Sequence, residues 1–141
     1  MPQVENSEVV KHVLQTLVDI SSRKTTQIQA VLTLSDLIKK LEGKYTFLRH
    51  IEVKDIRYSE LEDPISVMSD IDGVESNDIG NALHDIIKMM NTNLGKEAGH
   101  FFIRELRNRL GDDYNSTMEE MGLDLGLMQL EVEVDEMTKK L

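Results

Sequence analysis

Apolar residues recur at intervals of three and four over most of the chain, the signature of amphipathic helices. Val10, Val13, Leu14, Leu17 and Ile20 form the first such face, within residues 5–21. The polar run Ser21–Thr25 interrupts it. Thr26, with Gln29 three residues on, fits a capping box and predicts a fresh helix start. Ile28, Val31, Leu32, Leu34, Leu37, Ile38 and Leu41 continue to Gly43, read as the residue just past a helix end. No Gly or Pro lies between residues 3 and 42, so one continuous helix stands as the alternative to two.

The period then changes. Ile51 and Val53 alternate with Glu52 and Lys54, and Ile56 and Tyr58 flank Arg57, with a phase slip at Asp55 that suits a bulge or a bend. Ile65-Ser66-Val67 follows Pro64. These segments predict a two-stranded hairpin with its loop near Ser59–Pro64, packed on helices or another chain because a lone hairpin is not stable.

Ser69–Gly73 reads as a turn, and Ser76 or Asn77 as the cap of the next helix. Ile79, Ala82, Leu83, Ile86, Ile87 and Met90 make its apolar face, to Gly95. Ala98, Phe101, Phe102, Leu106 and Leu110 mark another, joined to it by a short turn around Leu94-Gly95 and ended by Gly111. Asp112 or Asp113 then caps a shorter segment holding Tyr114, Met118 and Met121.

Leu123, Leu127, Leu130, Val134, Met137 and Leu141 are spaced four, three, four, three and four, an a/d heptad seam of about two and a half repeats. A strand reading of Leu130, Val132 and Val134 loses to helix on length and on the pairs Asp135–Lys139 and Glu136–Lys140. Most amphipathic helices face their own core, so the seam is expected to dock on its own domain first and on a second copy otherwise. Leu127, Leu130, Val134 and Met137 are the candidate interface residues.

These elements predict an α+β, predominantly α chain: four or five helices in an irregular bundle with a small antiparallel hairpin. One domain is expected over 1–141, divided into N-terminal helices (5–43), hairpin (49–68) and C-terminal helices (77–141).

Charge sharpens the picture. The chain has 141 residues, with 26 acidic against 16 basic side chains and a net charge of −10. Residues 58–87 hold 8 acids and 112–137 hold 9, neither block containing Lys or Arg; between them 88–111 is net basic. Both acidic blocks are interleaved with apolar residues, so they are read as folded elements with acidic outer faces. Net charge argues against nucleic acid and against anionic membranes. No apolar run of membrane-spanning length and no leader pattern occurs, so a cytoplasmic protein is the expectation.

Candidate chemistry is sparse. The chain has no Cys, which removes thiol nucleophiles and Cys-ligated metals. It has no glycine-rich phosphate loop, G-x-S-x-G or H-E-x-x-H. Asp70, Asp72, Glu75, Asn77 and Asp78 crowd one loop, but counted from Asp70 the calcium-loop pattern fails at Gly73, Val74 and Asn81. A turn leading into a helix N-terminus accounts for these acids. His84-Asp85 suggests a metal-dependent hydrolase only if further ligands join it. Met118, Met121, Met128 and Met137 are read as core filler before adaptable binding surface. Lys96, His100, Arg104 and Arg107 form a basic stripe that could hold an anionic ligand or meet the acidic segment 112–137. The leading expectation is a non-enzymatic regulatory or protein-interaction domain that forms homo-oligomers. A small-molecule sensor or carrier with its pocket among residues 78–110 is the second, and a metal-dependent hydrolase the third. No cofactor or metal is assigned.

Overall fold

The computed structural model describes residues 5–53 and 65–139, with the side chains of Lys24, 93–101, Val132 and 135–139 outside that description. Helix α1 spans Asn6–Lys24 and α2 spans Gln27–Leu41. A 3-10 turn at Thr46–His50 leads into strand β1, Ile51–Val53, which pairs antiparallel with β2, Ile65–Val67. A second 3-10 turn, Ser69–Gly73, precedes α3, Ser76–Glu120, and α4 covers Leu125–Lys139. The chain is α+β and predominantly α.

The N-terminal segment is two helices. Thr26 is extended, and its Oγ1 accepts from the Gln29 backbone N–H at 3.1 Å. The reciprocal half of the capping box is absent among the described bonds: the Gln29 side-chain amide donates to Thr33 Oγ1 instead. At the far end of α2 the N–H groups of Lys44 and Tyr45 both close on the Leu41 carbonyl. Gly43 keeps a negative φ and is not the left-handed residue expected there, because this tight turn needs none.

The hairpin register sets Ile51 opposite Val67 and Val53 opposite Ile65. Alternation puts those four side chains on one face, with Ile51 and Ile65 buried and Val53 and Val67 packed against the core. β2 lies against α1, which supplies the support that an isolated hairpin lacks. The expected bulge at Asp55 and the loop at Ser59–Pro64 lie outside the described residues.

Helix α1 forms the middle of the core: Val9, Val10, Val13, Leu14, Leu17, Val18 and Ile20 are all buried. Its N-terminus is tied to the second 3-10 turn. The Ser7 N–H donates to Asp72 Oδ1 at 2.8 Å, and the Asn6 amide donates to the Val74 carbonyl at 2.8 Å. Asp72 therefore supplies a distant carboxylate cap to α1, whose own N-cap, Glu5, makes no side-chain capping bond. The acidic loop serves the start of α1 as well as that of α3. Neither Ser76 nor Asn77 caps α3: the helix starts one residue earlier, after an extended Glu75 with no side-chain cap.

Helical backbone runs from Ser76 to Glu120, so the expected stops at Leu94-Gly95 and Gly111 do not end the helix, and no new helix starts at Asp112 or Asp113. The run is nevertheless not straight. A Cβ on Gly80 would stand 2.2 Å from the Met121 carbonyl oxygen, whereas a straight helix would hold these residues about 60 Å apart. Gly111, at φ +80°, is one bend. There the Asn115 amide donates to the carbonyls of Arg107 and Gly111 at 2.8 and 2.7 Å, satisfying groups the bend disturbs. A bend at Gly111 alone would still leave residues 80 and 121 about 30 Å apart. The path therefore also reverses between the regular buried faces Ile79–Met90 and Phe102–Leu110. The returning stretch runs antiparallel to α1: Glu105 pairs with Arg23, and Tyr114 stacks on His12 with ring centroids 4.2 Å apart.

Helix α3 ends in a Schellman motif. The Leu123 N–H bonds to the Met118 carbonyl at 2.9 Å and the Gly122 N–H to the Glu119 carbonyl at 3.0 Å. Gly122, at φ +87°, sits at the left-handed position between helices, where a glycine costs neither of them stability. Met118 and Leu123 are buried beside it.

The Gly80–Met121 approach generates a stability prediction. Gly80→Ala forces a methyl into a backbone carbonyl and should cost about 1–3 kcal/mol, lowering the thermal midpoint by several degrees. Gly73→Ala, with no atom within 4 Å of its Cβ position, serves as the control and should stay within about 0.5 kcal/mol of the parent.

Candidate functional site

Helix α4 buries one face and exposes another. Asp124 caps it, accepting the Leu127 N–H at 3.2 Å, and fixes its first turn. Leu125 and Met128 then point into the core. Leu127, Leu130 and Val134 stay 55%, 57% and 58% exposed. The expectation that this seam docks on its own domain is therefore corrected at Leu127, Leu130 and Val134, while Leu123 is buried. The stripe carrying Leu125 and Met128, offset around the same helix, takes that place. The Met137 side chain lies outside the described residues, as does all of Leu141.

Beside the exposed stripe, α3 and α4 enclose an open groove of about 510 Å³. Arg104, Arg107 and Asn108 line it from α3, and Asp124, Gly126, Leu127, Leu130 and Glu133 from the α4 side. Two candidate sets from the sequence thus share one surface, the basic stripe and the apolar seam. Of the stripe, Arg104 and Arg107 are exposed, while the side chains of Lys96 and His100 lie outside the described residues.

The basic stripe meets the acidic segment within one chain. Arg104 Nη2 stands 3.9 Å from Glu133 Oε1, which also accepts from the Gln129 amide at 3.0 Å. Arg107 lies across the first turn of α4, with Nη1 only 3.4 Å from where a Cβ on Gly126 would be. Asp124 Oδ1 is 3.2 Å from the same point. Glycine at 126 thus leaves room for the Arg107 guanidinium. Neither Gly126 nor Glu133 stood out in the sequence, since Gly126 reads only as a weak helix residue and Glu133 as one acid among many.

A second cleft, also of about 510 Å³, opens between the end of α2 and the start of α3. Tyr45 Oη donates to Asp85 Oδ2 at 2.7 Å, Lys44 Nζ donates to the same oxygen at 3.1 Å, and His84 Nδ1 lies 3.4 Å from Asp85 Oδ1. Burial alone would raise the Asp85 pKa. The bonds from Tyr45, Lys44 and His84 and the Lys44 charge outweigh burial and hold the carboxyl below the usual aspartate value. Tyr45 is raised by burial and by its bond to Asp85, so it remains a proton donor. Lys44 is raised chiefly by its bond to Asp85. The cluster ties the α2 corner to α3 across 40 residues of sequence, a link no local signal announces. No group of three or more His, Asp or Glu able to hold a metal occurs among the described residues. The hydrolase reading of His84-Asp85 thus gains no further ligand there, and Asp85 spends its oxygens on Tyr45, Lys44 and His84.

No family model, no curated protein and no solved structure matches the chain. No helix among the described residues is long and apolar enough to cross a membrane.

The Asp85 cluster carries a pH prediction. The folded pKa of Asp85 lies below its ordinary value near 3.8. Its stabilisation is therefore complete above that value and is lost as pH falls through the lower folded one. Urea melts from pH 6 down to about 2 should show this loss beginning below about pH 4. Tyr45→Phe should cost about 1 kcal/mol at neutral pH and shrink that acid dependence. An unchanged slope would assign the acid loss to other carboxylates.

Proposed function

We propose that the chain is a non-enzymatic protein-interaction domain that self-associates through the exposed face of α4. The observation that carries this reading is Leu127, Leu130 and Val134, each more than half exposed on a helix whose opposite face is buried in the core. A heptad-spaced apolar stripe facing water is unfavourable for a lone chain and suits a partner helix.

The groove beside the stripe favours a protein over a small anion. Its two guanidiniums, Arg104 and Arg107, are matched by two carboxylates, Asp124 and Glu133. A balanced lining offers little net attraction to a free anionic ligand, which sets the sensor or carrier reading second. Three half-exposed side chains make a small patch, so the expected affinity is micromolar rather than nanomolar.

Light scattering at tens of micromolar should give a dimer mass. Replacing Leu130 and Val134 together by Asp should weaken association at least about tenfold, with the helical circular dichroism unchanged. A parent protein that stays monomeric at that concentration would remove the reading.

A further inference from the structure

The two edges of the exposed stripe differ in charge, and that difference selects how two copies would pair. At about 100° per residue, with Leu127 as origin, Val134 lies near −20° and Leu130 near −60°. Glu131 lies near +40°, on one edge, and is exposed. Gly126 and Glu133 lie near −100° and −120°, on the other edge, which faces the groove and α3. In heptad terms Leu127 and Val134 occupy a, Leu130 d, Glu131 e, and Gly126 and Glu133 g.

Gly126 has no side chain to offer at its g position. Arg107 fills the space, with its guanidinium 3.4 Å from the missing Cβ. Each copy therefore presents an acid at e and, borrowed from α3, a cation at the first g position, while the acid at the second g position, Glu133, stands beside Arg104. In a parallel pair of helices, a g residue faces the e residue five positions further along the partner. Position 126 then faces Glu131 of the second copy, and opposite charges meet twice across the twofold axis. An antiparallel pair sets e against e and g against g: on the e edge Glu131 meets an acid in either register, Asp124 or Glu131 of the second copy, and on the g edge position 126 meets Glu133, which Arg104 already holds.

Resting on the self-association reading, we infer that two copies pair with their α4 helices parallel and in register. Leu127, Leu130 and Val134 stack on their counterparts, and Arg107 of each copy meets Glu131 of the other. The partner is a second copy of this chain.

The absence of cysteine makes orientation directly readable. Leu127→Cys and Val134→Cys, each purified alone, should form disulfide-linked dimers under mild oxidation. Failure of both to self-link, with ready linking when the two are mixed, would show an antiparallel pair and overturn the inference while leaving self-association standing. A parent protein that is monomeric by light scattering would remove both. Charge exchange gives an independent readout. Arg107→Glu and Glu131→Arg should each weaken dimerisation about five- to thirtyfold at low salt, and the double exchange should restore it to within about threefold. Two single variants with parental affinity, or a double variant no better than either single, would also overturn the pairing.

Discussion

The architecture depends on one close approach, that of Gly80 to the Met121 carbonyl. Helical backbone that began at Ser76 has to arrive back at its own first turn, and only a residue without a Cβ leaves room for the carbonyl there. The consequences are sequential. The return places Glu105 and Tyr114 along α1, so that α1 is enclosed on its inner faces. It also delivers the Schellman motif at Gly122 to a fixed point, from which Asp124 starts α4. The direction of α4, and with it the choice of which face is exposed, follows from where α3 closes.

Acidic residues also fasten the fold. Asp72 caps α1 from 65 residues away, Asp85 gathers Tyr45 and Lys44 from the end of α2, and Asp124 caps α4. Each carboxylate accepts hydrogen bonds at a junction between elements, where backbone N–H groups or a cation would otherwise face water without a partner. The large negative charge is thus partly a set of fastenings.

Local signals were legible and distant ones were not. The Thr26 cap, the buried stripe from Ile79 to Met90 and the phase of the hairpin follow from neighbouring residues, because spacing and side-chain oxygens act within a turn or two. The bond from Tyr45 to Asp85 and the cap from Asp72 to α1 depend on chain reversal, which no window of residues contains. The exposed seam is the instructive case. The start of α4 reads Leu125, Leu127, Met128 and Leu130, apolar around most of its circumference. Periodicity can find two apolar stripes there and cannot rank them. Burial of Leu125 and Met128 was decided by how α4 leaves Gly122, a tertiary constraint. The a/d spacing was therefore real while its assignment to the core was not.

That outcome also explains why the basic stripe and the seam belong to one surface. The ion pairing between the stripe and the acids of α4 is itself exposed and worth at most about 1 kcal/mol per pair. With the apolar stripe outward, the same guanidiniums become the edge of an exposed apolar face. Arg104 is already shared with Glu133 at a loose 3.9 Å, whereas Arg107 lies over Gly126 at the boundary of the stripe. A cation held at the edge of an apolar strip, with an acid on its opposite edge, defines a direction along the helix. A stripe of leucines alone would not distinguish the two ends of the helix; this pair of charges does.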